Sequence, residues 1–204
     1  MTRTVHPIEQ ESYAILRRLL ALHHPDAAAR TPLARAVIER VVHASADLEY
    51  VEDLVLPDES VLEDAVMALR AGAPVVADVA MVAAGITRRR SLCRITDPRA
   101  AELAAEIGIT RSAAAMRLAA EEAGPGAVYV VGCAPTALFE LIDGAARFLP
   151  LLVLGLPVGF VGAVESKQAL RASGLPAVSN RSGKGGSAVA AAALNALLYQ
   201  EAEQ

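Results

Sequence analysis

The sequence predicts an α/β fold: a mostly parallel sheet with helices on both faces, in one domain spanning residues 1–204. Three observations predict it. Strand-like and helix-like segments alternate through the second half of the chain. The strand segments are continuous apolar runs, as expected of strands covered on both faces. The chain has 204 residues, enough for one sizeable core rather than two. Hydrophobic residues make up 54% but aromatics only 3%, with no Trp, so the core must be built from small aliphatic side chains packed closely.

The elements follow in order. "EQESYAILRRLLALH" has helical periodicity, with Ala14, Ile15, Leu19 and Leu22 toward one side. "TPLARAVIERVVHA" opens on a start signal, Thr31 as N-cap and Pro32 at the first helical position. Its apolar residues recur every four, as Leu33, Val37 and Val41 and as Ala34, Ile38 and Val42. "LEYVEDLVL" reads as a strand. "DESVLEDAVMALRAG" reads as a helix capped by Asp58 and stopped by Gly72. "APVVAD" is a short buried strand ending in an acid, and "SLCRITD" another strand candidate. "PRAAELAAEIGITRSAAAMRLAAEEAG" is helical in two pieces divided near Gly108. "AVYVVG", "PLLVLG" and "LPAVSN" are the remaining strands, separated by the helices "APTALFELIDGAARF" and "VESKQALRAS". "GKGGSAVAAAALNALLYQEAEQ" supplies the closing helix. In such sheets, sites form at the carboxyl ends of the strands.

Composition excludes several classes. The net charge is −4, and no basic tail or face stands out, so nucleic acid is not an expected partner. Cys93 and Cys133 lack CxxC spacing and read as reduced thiols of a cytoplasmic protein. The N-terminus lacks the apolar core of a signal peptide. The longest apolar run, "FLPLLVLGLPVGFVGAV", is too interrupted by Pro and Gly to cross a membrane.

The motifs are individually weak. "SGKGGS" resembles a phosphate loop, but Lys184 is followed by Gly185 rather than Ser or Thr, so no nucleotide signature exists. It remains either a tight turn into a helix or a backbone cradle for a carboxylate or phosphate. Gly155, Gly159 and Gly162 do not match GxGxxG. The arginines of "GITRRRSLCR" and "GITRSAAAMR" are either a solvated surface or a receptor for a polyanion. His23 and His24 are adjacent and point to different helix faces; no metal site is evident, and no GxSxG elbow exists. His43 stands apart. It ends a helix whose dipole favours its cationic form, three residues after Arg40, whose charge opposes that form. It is either a core or capping histidine or a proton-transfer group.

Taken together, "IEQESYAIL", "RVVHA", "AGAPVVADVAMVAAGIT", "DPRAAELAAEIGITRSAAAM", "GCAPTALFELI", "GLPVGFVGAVESKQAL" and "GKGGSAVAAAALNAL" resemble the precorrin-8X methylmutases of cobalamin biosynthesis over nearly the whole chain. The resemblance implies a homodimer with sites near the subunit interface and no external cofactor. It implies migration of a methyl group from carbon 11 to carbon 12 of precorrin-8X, or of its cobalt form, to give hydrogenobyrinate or cobyrinate. His43 then matches the family's proton donor and acceptor, and Ser12 and Arg40 match substrate contacts. Arg111, Lys184 and the amides of Gly185 and Gly186 are the further candidates for the carboxylates on the tetrapyrrole rim. The chain departs from the family's usual pattern at Ser45 and Ala46, where Cys–Gly is frequent, and at Ala80, Ile109 and Cys133, where polar residues are common. A paralogue that binds a corrinoid without turning it over is the alternative that those departures raise.

Overall fold

The structure, a computed structural model, describes residues 6–200. Its centre is a five-stranded sheet: β1 (Leu54–Val55), β2 (Val75–Ala77), β3 (Val128–Val131), β4 (Leu152–Gly155) and β5 (Ala177–Asn180), in the order β1-β5-β4-β3-β2. β2 to β5 are parallel neighbours, and β1 adds antiparallel to β5, with Leu54 opposite Asn180. The parallel strands are buried almost throughout, which is why they read as unbroken apolar runs.

The helices are α1 (Pro7–His23), α2 (Pro32–Ser45), α3 (Tyr50–Asp53), α4 (Glu59–Arg70), α5 (Ala80–Gly85), α6 (Pro98–Ile107), α7 (Arg111–Ala123), α8 (Pro135–Asp143), α9 (Ala145–Phe148), α10 (Ala163–Ala172) and α11 (Ser187–Gln200), with a 3-10 turn at Pro25–Ala29. The strands β2, β3, β4 and β5 progress in one direction across the sheet. Right-handed crossovers therefore deliver their connecting helices to one side. There α7, α8 and α10 pack on Val76, Tyr129, Val131 and Val153. On the opposite face, α2, α4 and α11 cover Val75, Ala77, Val128, Val130, Leu152 and Leu154. The alanine run of α11 is buried on nearly every side and lies against α2. Small side chains permit that close approach.

Several expected elements change in the fold. "LEYVEDLVL" is not a strand over its length: residues 50–53 form a helical turn, and only Leu54–Val55 pair. The Asp47 carboxylate starts that turn by accepting the Glu49 amide at 2.9 Å, and Asp53 is needed elsewhere, on the 180–182 loop. "SLCRITD" contributes one bridge, Leu92 to Val76, before the chain turns into α6. "VAMVAAG" is a helix, and "APTALFELIDGAARF" divides at Gly144 into α8 and α9. The predicted apolar side of α1 faces outward: Ile15, Leu19 and Leu22 are exposed, and the helix docks instead through Leu16 and Leu20. Thr31 holds the N-cap position of α2 but its hydroxyl does not cap; the Glu59 carboxylate accepts the Leu33 amide at 2.7 Å and the Ala34 amide at 3.3 Å in its place. Asp58 likewise stands at the N-cap of α4 with no side-chain capping bond. Gly108 ends α6 in the left-handed conformation, as its position between two helical pieces requires. No described helix is long and apolar enough to cross a membrane.

Candidate active site

Helix α2 ends in a way that presents His43. Val37, Ile38, Val41 and Val42 are buried in the core, which locks the helix against the sheet and α11. Ser45 turns its hydroxyl back to the Val41 carbonyl at 2.9 Å. Ala46 takes the left-handed conformation, φ 53°, and its amide closes on Val42. That position favours glycine, so an alanine there carries backbone strain. The last turn is thus held rigidly, with His43 half-buried on its rim.

Helix α1 crosses this last turn. Ser12 Oγ lies 2.9 Å from His43 Nδ1, and the Tyr13 ring stacks on the imidazole, centroids 4.7 Å apart and planes 12° from parallel. One contact sets the ring's rotation and the other its plane. His43 Nε2 has no hydrogen-bond partner among the described residues, and the ring lines a cleft of about 180 Å³ walled by Ile15, Leu16, Leu19, Val42, Ala46 and Leu48. A histidine oriented through one nitrogen at the wall of an apolar cleft can give and take a proton.

Arg40 joins the constellation through Tyr13, donating to the tyrosine oxygen at 3.4 Å. Its guanidinium lies 4.1 Å from the Tyr199 ring centroid, and Arg88 lies 4.6 Å from the same ring. Tyr13, Arg40 and Tyr199 line a second cavity of about 370 Å³ between α1, α2 and the end of α11. Sequence reasoning named Ser12, Arg40 and His43 but not Tyr13 or Tyr199. Ser12 and Tyr13 are about 100° apart around α1. Both reach one imidazole only because α2 ends in the angle between them, which no sequence signal announces.

The other candidates are placed elsewhere. Arg111 is exposed in the first turn of α7, on the sheet face opposite α2, so the structure does not bring it to His43. Lys184 bonds Asp47 Oδ2 at 2.6 Å and the Glu49 carboxylate, which raises the Lys184 pKa and lowers that of Asp47. Amides of its loop are engaged within the chain: Lys184 N with Ser182 Oγ at 3.1 Å and Gly186 N with the Leu156 carbonyl at 2.9 Å. Gly185 (φ 148°) passes so close to the Leu156 carbonyl that a side chain has no room. Of the departing positions, Ala80 is exposed at the start of α5 and Ile109 packs on the small α6–α7 cluster. Cys133 is exposed before α8, and its amide donates to Asp78 at 2.8 Å. Asp78 is a buried carboxylate that also accepts from Gly132 and Ala134; burial raises its pKa against the pull of those amides. No group of three His, Cys, Asp or Glu among the described residues is arranged to hold a metal ion.

Fold and site define a parallel α/β protein with a serine-oriented histidine at a helix end, and the comparisons with known proteins place it. A family model described as precorrin-8X methylmutase matches residues 7–200. The cobalt-precorrin-8 methylmutase of Salmonella typhimurium is 41% identical over 199 residues, covering 94% of this chain and 93% of that protein. The precorrin-8X methylmutase of a Sinorhizobium species is 48% identical over 170 residues, 78% of this chain and 79% of that protein. A solved precorrin-8X methylmutase from Thermus thermophilus superposes with a TM-score of 0.82 at 33% identity, covering 96% of each chain. The chain belongs to the precorrin-8X methylmutase family, and with it to the isomerases that move a methyl group within one molecule.

Proposed function

We propose that this protein moves a methyl group from carbon 11 to carbon 12 of precorrin-8X, or of its cobalt form, in the making of the corrin ring, with His43 giving and recovering the proton. The observation that carries the reading is the Ser12–His43 pair at the wall of a largely apolar cleft. A methyl shift around a conjugated macrocycle needs no nucleophile and no free methyl carrier. It needs charge redistribution in the ring to be favoured, and a positioned proton donor supplies that. Apolar walls strengthen the effect by excluding water. No cofactor enters this scheme. Arg40 is then placed to meet a rim carboxylate, whereas Arg111, Lys184, Gly185 and Gly186 are not brought to His43 within one chain.

The reading includes a homodimer with its sites near the subunit interface, acting in the cytoplasm. Two observations support the second copy. The His43 cleft, about 180 Å³, is smaller than the roughly 300–1,000 Å³ usual for small-molecule sites, so a tetrapyrrole needs further walls. Ile15 and Leu19, on the lip of that cleft, are large apolar side chains left in the open.

The test is direct. Purified protein mixed with precorrin-8X, and separately with cobalt-precorrin-8, is followed by its visible spectrum. Conversion to the corrin spectrum with one of them is the expected outcome. Tight binding of both without conversion identifies instead a non-catalytic corrinoid-binding paralogue.

A further inference from the structure

Lys167 is the one lysine of the core. On α10, it is fully buried, and its ammonium makes three hydrogen bonds: to Asn180 Oδ1 at 2.9 Å, to the Ser182 carbonyl at 2.5 Å and to the Lys184 carbonyl at 2.7 Å. All three acceptors belong to the segment that leaves β5 and enters α11. An ammonium has three N–H groups, so donors and acceptors match one to one. The same segment is stitched to residues 47–53. Asp53 accepts from the Ser182 hydroxyl at 2.6 Å, the Asn180 side chain at 2.7 Å and the amides of Arg181 and Ser182. Burial works against the Asp53 charge, but those four donors outweigh it and hold its pKa below the usual carboxylate value. At the far end, Lys184 clasps Asp47 and Glu49. Between those two carboxylates stands Leu48, which with Ala46 walls the His43 cleft.

We propose that Lys167 is a positioning residue for the His43 cleft. By pinning the carbonyls of residues 182 and 184, it sets where Lys184 grips the 47–49 segment, and so where the cleft wall stands beside the imidazole. The catalytic part of this inference rests on the function proposed above; the positioning part does not.

A buried ammonium is costly, and a purely structural loop tie needs no charge. Three carbonyl acceptors require one, because a neutral amine has only two N–H groups and would point its lone pair at an oxygen. The charged groups facing Lys167 are Asp53 from α3, which favours the ammonium, and Arg171 one turn on along α10, which opposes it. Burial, the largest influence, lowers its pKa to about 8. Between about 8 and the ordinary value of 10.5 the unfolded chain binds the extra proton, so this titration raises stability as pH rises.

The experiment uses the full chain. Hydrogen exchange is compared at pH 7 between the parent and Lys167→Met. Exchange should quicken in residues 46–49 and 180–186 together, with β3 and β4 unchanged. With precorrin-8X, Lys167→Met should lose roughly tenfold in kcat with KM within a few-fold. A variant with parental kcat overturns the proposal. So does exchange that quickens in the loop but not at 46–49. If Lys167→Met does not fold, Lys167→Gln, which keeps two N–H donors, decides instead: no change in exchange at 46–49 overturns the proposal. A parent without isomerase activity refutes the proposed function while leaving the exchange result to judge the positioning.

Discussion

The two helical layers treat their arginines differently. In the α6–α7–α8 layer three of them end on carboxylates: Arg117 grips Glu140 with two bonds of 2.6 and 3.0 Å, Arg94 bonds Glu122 at 2.8 Å, and Arg99 bonds Asp97 at 2.7 Å. In the α1–α2–α11 layer Arg17 does the same with Glu39, at 3.0 and 2.9 Å. Arg40 and Arg88 do not. Both rest on the Tyr199 ring, and neither has a carboxylate partner among the described residues. A guanidinium in a two-bond pair is electrostatically closed, whereas one stacked on a ring keeps its N–H edge for another anion. The first layer is thus tied together, and the second is left able to receive an acidic ligand beside its histidine.

The largest expected effect sharpens the catalytic side of this contrast. His43→Ala should lower kcat by about 10²–10⁴-fold, the range of a lost general acid–base, with substrate binding within a few-fold of the parent. Turnover at the parent rate would remove the histidine from the mechanism. Arg117→Ala should act on stability instead. It strands the Glu140 carboxylate, only 9% exposed, without its cation, at a cost of about 3 kcal/mol by denaturant titration. Activity at low temperature should be kept; an unchanged midpoint would break the contrast. Arg40→Gln should behave in the opposite way, raising KM about tenfold through one lost charge-assisted contact while leaving the midpoint nearly unchanged. The smallest effect concerns the helix end that carries His43. Ala46→Gly relieves the strain at φ 53° but frees the unfolded chain, for a net gain of about 0.5–1 kcal/mol. A loss of stability would show that the alanine methyl packs against something essential.

Much of the architecture was legible because burial leaves a mark on composition. Val128–Val131 and Leu152–Gly155 have both faces covered, and such strands have no polar side to show. Gly108 divides two helices because a left-handed stop suits glycine. Where local and tertiary demands compete, the pattern misleads. Residues 50–53 carry strand-like Tyr and Val, yet Asp47 and Asp53 bend them into a turn that serves the loop after β5. Leu92 bonds β2, but the segment ends there as Asp97 caps α6. Ile15 and Leu19 kept the helical period of α1 while lying on its exposed side.

The site was legible in part. Arg40 and His43 share the last turn of one helix, a relation that spacing alone supplies. Ser12 entered only through the family resemblance, and 31 positions separate it from the histidine it orients.

The sequence by itself determined the parallel sheet, the helix that ends at His43, and the small-residue faces that let α2 and α11 pack closely. Those properties are periodic or local, and a chain displays them residue by residue. Only the tertiary structure decided that Ser12 and Tyr13 share one imidazole. It also decided that Lys184 is taken up by Asp47 and Glu49, that Arg111 sits across the sheet, and that a buried lysine holds the loop beside the cleft. Those outcomes depend on the angle at which distant elements cross and on which charges burial forces together, and neither is written in the order of the residues.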